Sequence, residues 1–506
     1  MTKLRTRRTD FQYNFSDLLL SQSKFLSKAF AMKSPATTFA LLMAGLCLLL
    51  TSCGKGNERP EIDNGDDATP SSSDTAETKT ATIEPAQTVA ADEIAWNRFR
   101  GPNGTGTSSA TNIPTQWSET ENLRWKTPLP GAGSSSPVLT KKFVFVTSYS
   151  GYGEPGAGQG GSEKTLKRHF SCLDRQTGKI LWSKSIDNVV GEDPYSGNGL
   201  PEHGYASNTP VTDGKHVFVF FGKTGVIAYD LDGNEQWRKS VGTSSGNRQW
   251  GSAASLIVVD DKLIVNAADE SQTIFGFNKE TGKQLWESPA GSLELCYSTP
   301  AIVPVDKNRK DLVVAVPGEV WGMNPENGKL LWHVETSLTG NLSPSVIVDG
   351  SRVFVFGGYR SKGSLAIKVG GKGDVTKSNV LWTSQATSYV PTPVLYDKRL
   401  YWIDDKGIYY CLDTENGKTI DKKRVSMRSG HGRAVYASAL NIGGKIYAQT
   451  RYNGLIVLNP GDTMEQVAQN TFDDDSQFNA TPAVDAGQLF LRSDKFLYCV
   501  QQSEKE

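Results

Sequence analysis

The sequence predicts an all-β protein, an eight-bladed β-propeller closed by an N-terminal strand, and three observations predict it. A strand–turn–strand motif recurs as Leu173-Asp-Arg-Gln-Thr-Gly-Lys-Ile-Leu-Trp182, Phe277-Asn-Lys-Glu-Thr-Gly-Lys-Gln-Leu-Trp286 and Met323-Asn-Pro-Glu-Asn-Gly-Lys-Leu-Leu-Trp332. A second mark, usually Ser or Thr before Pro, opens an apolar, β-branched run every 43 to 49 residues after a first interval of 73. Finally, the last repeat stops at Tyr498-Cys-Val500, with no turn and no Trp strand after it.

In the repeated motif an Asp or Asn bonds its own backbone to start a turn, and Gly supplies the positive φ that a tight hairpin needs. Looser copies are Tyr229–Trp237, Leu412–Lys418 and Leu458–Gly461. The repeat Trp residues Trp125, Trp182, Trp237, Trp286, Trp332 and Trp382 fall on outer strands. A period of 40–50 residues marks a propeller, whose blades bury their faces only against one another. The blade starts are Ser136-Pro137, Thr209-Pro210, Ala253-Ala254, Thr299-Pro300, Ser343-Pro344, Thr392-Pro393, Ser438-Ala439 and Thr481-Pro482. Pro is tolerated there because the first residue of a strand need not donate to the ladder. The outer strand missing from the eighth blade is expected at Leu123–Gly131, which carries Trp125.

The N-terminal part has a different character. Residues 1–31 read as an upstream extension, and residues 32–52 as a signal peptide with an apolar run from Phe39 to Leu50. That run of about 12 residues is too short to span a bilayer, which takes roughly 20. Leu50-Thr-Ser-Cys53 resembles a bacterial lipobox, which makes Cys53 the expected lipidated residue. Residues 53–93 are rich in Asp, Glu, Ser, Thr and Ala and almost free of large apolar side chains. Such a stretch cannot offset its ordering entropy and reads as a disordered acidic tether. Residues 94–506 form the propeller, which is close to neutral and offers no electrostatic footprint for nucleic acid.

Cysteine and histidine positions argue against a metal or disulfide framework. Cys172, Cys411 and Cys499 share one repeat position, which Ala228, Gly276, Gly322 and Val457 hold in other blades. A site shared by Cys, Ala, Gly and Val is a tight packing site, and free Cys behaves there as a small hydrophobe. Cys296 has no partner on this argument. No CxxC or HxxxH spacing occurs. His169, His216 and His333 lie in or beside strands, whereas His203 and His431 sit in loops that lead into blades two and seven.

The loops that lead into the blades gather at one end of a propeller's channel, so their residues are the candidate binding set. They are Glu202, His203, Tyr205, Arg248, Trp250, Glu294, Tyr297, Asn341, Tyr389, His431, Arg433, Tyr436 and Phe478. Aromatics and Arg dominate binding hot spots, although aromatics at a channel mouth can also be plain plugs. No acidic pair shows a diagnostic catalytic spacing.

With these motifs, residues 122–500 resemble the PQQ-repeat, or quinoprotein-dehydrogenase-like, eight-bladed propeller superfamily. The opening Trp96-Asn-Arg-Phe-Arg-Gly-Pro-Asn-Gly104 is similar to the leader of exported PQQ-repeat proteins. The resemblance implies that each repeat Trp packs between blades, where burying about 150–250 Å² contributes at most roughly 4–6 kcal/mol. It also implies two kinds of relative. Quinoprotein dehydrogenases bind PQQ and Ca²⁺ in the central funnel beside a vicinal Cys-Cys pair, which this sequence lacks. Non-catalytic relatives include the lipoprotein B subunit of the outer-membrane β-barrel assembly machine. The second kind is the expectation: a monomeric, lipid-anchored scaffold without cofactor or enzymatic activity. It would bind an envelope protein at the periplasmic side of the outer membrane or at the cell surface. The alternatives are a PQQ- and calcium-dependent oxidoreductase and a surface glycan-binding propeller. The segments Tyr149–Arg168 and Asn188–Ser207 are longer than a minimal scaffold needs.

Overall fold

Each repeat places two apolar middle strands between an inner strand and a Trp-bearing outer one, and this pattern builds a blade. The computed structural model describes residues 59–63, 92–154, 161–189, 191–197, 199–427 and 432–503, all within one compact unit, Asn57–Glu506. Cys53, the signal segment, most of the tether and His431 lie outside the described residues. Eight antiparallel sheets of four strands form the ring, three of them extended by one short added strand. In blade three, Ile257–Val259, Lys262–Ala267, Thr273–Asn278 and Gln284–Pro289 pair in that order from the channel outward. Its second strand is buried throughout because neighbouring blades cover both faces, whereas the outer strand alternates and turns Trp286 inward. The last blade closes as expected: Leu123–Pro128 pairs antiparallel with Phe496–Gln501, Leu123 opposite Val500 and Trp125 opposite Cys499.

A ring of hydrogen bonds ties the blades together at the head of the inner strands. Ser136 N–H donates to Thr209 Oγ1 (3.0 Å), Thr209 N–H to Ser255 Oγ (3.0 Å) and Ser255 N–H to Thr299 Oγ1 (3.1 Å). The series continues from Thr299 to Ser345 (3.2 Å), Ser345 to Thr392 (2.9 Å), Thr392 to Ser438 (3.0 Å) and Ser438 to Thr481 (2.9 Å). The blade mark is therefore the hydroxyl, and Pro is secondary. In blades three and five the ring residues are Ser255 and Ser345, two positions beyond the expected starts at Ala253 and Ser343. At the eighth junction the Ser136 hydroxyl has no partner. Arginines serve there: Arg492 donates to the carbonyls of Thr147 (2.8 Å) and Ser135 (3.4 Å), and Arg175 to Gln488 (2.7 Å) and the Asp485 carbonyl (3.0 Å).

On the outside, five of the six repeat Trp residues dock on the turn of the following blade. Indole N–H groups of Trp125, Trp182, Trp237, Trp286 and Trp382 donate to carbonyls of Arg175, Leu231, Lys279, Pro325 and Thr414, at 2.8 to 3.1 Å. The turn glycine lies beneath the ring, so a Cβ at Gly282 would stand 2.7 Å from Trp237. Trp332 differs, donating to Asp311 of its own blade (2.7 Å), because blade five lacks the turn motif. There Gly373–Asp374 instead runs parallel to Trp332 and His333. The tight repeat position also has its explanation: Cys172, Ala228, Gly276, Gly322, Ala366 and Cys499 stand directly opposite a repeat Trp. A Cβ on Gly322 would lie 1.9 Å from Trp332. All four described cysteines are free and buried, and burial pushes the Cys499 thiol up to about 12.

The leader fills the channel. Ile94–Trp96 adds to the inner strand of blade one, and Thr107–Ser108 runs parallel to the inner strand of blade seven. Between them, fully buried Arg100 donates to the carbonyls of Thr392 (2.9 Å), Pro393 (2.9 Å) and Gly104 (3.1 Å). Gly101 is required here, since its φ is +69° and a Cβ would strike Trp96 at 2.6 Å. Within the stretch expected to be free tether, Arg59–Asp63 are an exception. Arg59 grips the buried carboxylate of Glu319 (2.7 and 3.0 Å), and Leu330 N–H donates to the Glu61 carbonyl (2.9 Å). Pairing of the Arg59 guanidinium with the buried Glu319 carboxylate, which also accepts from the Trp321 indole N–H (2.6 Å), gives this short segment an energetic reason to order.

Two outcomes follow from the closure and the Trp–Gly docking. Removal of Leu123–Gly131 bares the edge of Phe496–Gln501, so a chain starting near Gly133 is expected to aggregate or melt far below one starting at Ile94, as read by differential scanning calorimetry. Gly282→Ala combines a positive φ with the Trp237 overlap; urea unfolding should show a loss of about 2 kcal/mol or more.

Candidate functional site: the chamber at the channel mouth

The leader and the ring of hydroxyls define a chamber of about 160 Å³ at one end of the channel. Phe99, carried by the leader, is on its wall together with Thr209, Ser255, Thr299, Ser345, Thr392, Ser438 and Thr481. The Asn188–Ser207 connection reaches over the mouth through the short helix Leu200–His203. Glu202 spans to blade seven, accepting from Arg451 Nη1 (2.7 Å) and the Tyr436 hydroxyl (3.2 Å), while its carbonyl accepts from Asn479 (2.9 Å). His203 Nε2 donates to the Trp250 carbonyl (2.9 Å) and Nδ1 accepts from Ser207 (2.5 Å). Desolvation lowers the His203 pKa, so the ring is neutral at pH 7.

From the helix onward the rim carries an arc of aromatic faces, which begins at Trp250. Trp250 stacks with Tyr297 (centroids 6.4 Å apart) and meets Tyr359 edge-on (5.7 Å); Tyr359 stacks on Tyr389 (5.3 Å). The Arg433 guanidinium lies 4.2 Å over Tyr389 and pairs with Asp405, and Arg451 lies 4.5 Å over Tyr436. Arg248 covers Trp250 at 5.9 Å. Two buried polar atoms of the lining, Asn341 Oδ1 and the Tyr297 hydroxyl, reach no hydrogen-bond partner.

Seven of the expected residues thus meet at the chamber: Glu202, His203, Trp250, Tyr297, Asn341, Tyr389 and Tyr436. Arg433 and Arg248 stand on the rim, and Glu294 accepts from the Asn247 N–H (2.7 Å) beside it. Tyr205 and Phe478 do not join them. Tyr205 is buried among Tyr149, Tyr152 and Tyr195, and Phe478 packs with Phe472 and Tyr498. The two long segments explain each other, because their tyrosines form this shared stack over blades one and two. Sequence reasoning missed Phe99, Tyr359, Arg451 and Asn479. The leader motif held the signal for Phe99; Tyr359 and Arg451 lie in hairpins that carry no repeat mark.

The chamber's residues fit poorly to an anionic quinone with calcium. The lining holds no Lys or Arg to oppose quinone carboxylates, and its one carboxylate, Glu202, is engaged by Arg451. A calcium ion takes six to eight oxygen ligands, usually with several carboxylates. Elsewhere among the described residues, two groups bring three possible metal ligands within 4.8 Å: Asp213, His216 and Glu280, and His333, Glu335 and Asp374. Basic side chains already sit at both: Lys279 on Asp213 (3.2 Å), Lys215 on Glu280 (2.8 Å) and Arg59 on Glu335 (3.5 Å).

Comparison with solved structures shows the fold in proteins of two kinds. BamB from Moraxella catarrhalis superposes with a TM-score of 0.52 at 14% identity, covering 76% of this chain and 99% of that one. A europium-containing methanol dehydrogenase gives 0.51 at 10% identity over 79% and 89%. The quinohemoprotein alcohol dehydrogenase ADHIIG from Pseudomonas putida HK5 gives 0.51 at 11% identity over 84% and 83%. No curated protein sequence matches this one significantly. The profile of the family described as outer membrane protein assembly factor BamB matches residues 167–423, just over half of the sequence, and the chain belongs to that PQQ-repeat propeller family.

Proposed function

We propose that the protein is a non-enzymatic interaction scaffold of the cell envelope, anchored through Cys53, that docks a partner protein at the chamber mouth. The observation that carries this reading is the rim. Trp250, Tyr297, Tyr359, Tyr389 and Tyr436 are only partly buried, while Tyr205 and Phe478, which plug and pack, are fully so. Partly exposed aromatic faces held by Arg433 and Arg451 are rigid anchors of the type that dominates protein interfaces. Membership of a family described as an assembly factor supports a scaffold role and an envelope location. No described helix is long and apolar enough to cross a membrane, so attachment through the N-terminal lipid is the proposed link.

The fold shared with methanol and alcohol dehydrogenases favours a second reading, a quinone oxidoreductase. The neutral lining and the committed Glu202 weigh against it, and no reaction step is assigned to the chamber.

Two experiments test the proposal. Photocrosslinkers at Tyr359 and at the distant Leu285 are compared in intact cells, with membrane and soluble fractions separated. Crosslinks to one envelope protein are expected from Tyr359 only, and Trp250→Ala with Arg433→Ala should weaken capture by about 2 kcal/mol or more, some 30-fold, at nearly unchanged Tm. Capture that survives both substitutions places the docking face elsewhere; Cys53→Ala protein that stays with membranes removes the lipid anchor. Secondly, titration with PQQ and calcium should give neither saturable binding nor alcohol-dependent dye reduction. Turnover above about 1 s⁻¹ would favour the oxidoreductase.

A further inference from the structure

Beside the chamber, between blades two and three, four carboxylates and two cations are buried together, and the cations are already used. Lys223 spends its three N–H donors on the Gly191 carbonyl (2.7 Å), Asp193 (3.0 Å) and Ser245 (2.7 Å). Arg168 is held by Glu192 (2.7 Å), Asn188 (2.8 Å), Thr224 (3.1 Å) and the Tyr205 carbonyl (3.4 Å). Asp269 and Glu270, in the hairpin turn of blade three, are left over. They are 5% and 2% exposed, and Asp269 Oδ1, Asp269 Oδ2 and Glu270 Oε2 have no hydrogen-bond partner. Both line a cavity of about 20 Å³, which Ser244 and Ser252 also line. That is room for one water-sized occupant, whose minimum is roughly 10–15 Å³.

We propose that Asp269 and Glu270 form a binding site for a single hard divalent cation of the calcium class. Four carboxylates against two cations leave a local charge of −2, which one such ion cancels. Carboxylate and hydroxyl oxygens are the donors that calcium prefers, and the Ser244 and Ser252 residues that line the cavity can add hydroxyls to the two carboxylates. Arg168 and Lys223 line the same cavity, but Lys223 has all three donors engaged and Arg168 four of its five, and among the described residues neither makes a hydrogen bond to Asp269 or Glu270.

Protons are the competing occupant. Burial first, then Asp193 and Glu294, pushes Asp269 up to about 7 against the pull of Lys223. Burial, then Asp269, pushes Glu270 up to about 8, with Glu192 adding and Ser252 opposing. These carboxyls hold protons in the folded state that the unfolded chain releases above its own pKa of roughly 4. Stability without metal therefore falls as pH rises from roughly 4 to about 8 and stays low beyond. An ion that binds only the deprotonated pair restores it at the alkaline end.

The test uses the full chain stripped with EDTA, titrated with calcium chloride by calorimetry and by Tm at about pH 8.5 and about pH 5.5. Calcium is expected to bind and raise Tm by several degrees at the higher pH and to do little at the lower. The Asp269→Asn, Glu270→Gln double variant should melt no lower than the metal-free parent at the higher pH and ignore calcium. Its folding is checked at the lower pH, where it mimics the protonated pair. A parent that loses stability with rising pH yet ignores both calcium and magnesium overturns the site, leaving a protonated pair. A calcium response that persists in the double variant overturns it equally.

Discussion

Eight blades close into a ring only if each keeps the same height and tilt as its neighbour, and the backbone N–H to hydroxyl bond from one inner strand to the next imposes that. Seven such bonds run in one sense around the channel, from Ser136 to Thr481. Each is a buried backbone donor satisfied by a side chain, so the loss of one hydroxyl costs about 1–3 kcal/mol rather than the smaller net worth of an average hydrogen bond. The outer Trp–Gly contacts repeat the constraint at larger radius. Between the two circles the middle strands need only be apolar. Where the inner circle breaks, at the junction of blades eight and one, Arg492 and Arg175 cross from sheet to sheet in its place.

The same circle makes the chamber. Its hydroxyls accept from backbone and present a neutral, weakly polar wall, while charge is confined to the rim and paired there: Glu202 with Arg451, Asp405 with Arg433. The leader is part of this arrangement rather than an appendage. Phe99 contributes to the chamber wall, and the buried guanidinium of Arg100 is held by carbonyls from blade six and from its own loop. Desolvation lowers that guanidinium to about 9, with Arg98 adding to the effect, so carbonyl ligation is what keeps it affordable in the interior.

Blade number, the closing strand and the repeat Trp residues were legible because each rests on a local rule: turn chemistry, strand alternation and an unfilled edge. In blades three and five the Ala253-Ala254 and Ser343-Pro344 marks stand two residues ahead of the ring hydroxyls of Ser255 and Ser345, because the hydroxyl and not the Pro fixes the blade start. Distant partners left no such trace. Nothing in Arg59 announces Glu319, 260 positions away, and nothing in Glu202 announces Arg451. The candidate ring mixes partly buried Trp250 with buried Tyr205 because both precede a blade start, and only the long connection of blade one decides which is covered. Asp269 and Glu270 sat unnoticed in an ordinary hairpin sequence.

The closing strand has a consequence for when the molecule can become itself. Arg124 and Gln501, which meet at 2.8 Å in the eighth blade, are 377 positions apart. At a synthesis rate of about 5–20 residues per second, the early strand waits roughly 20–80 s for its partner. During that interval the nascent chain can stack up to seven blades but leaves an arc with two uncovered apolar blade faces, while the waiting strand Leu123–Pro128 stays open to pairing with any other extended chain. The final event is a closure of very high contact order, the kind that proceeds slowly. Survival through that pause, more than equilibrium stability, sets the demand this architecture makes on the machinery that shelters new chains.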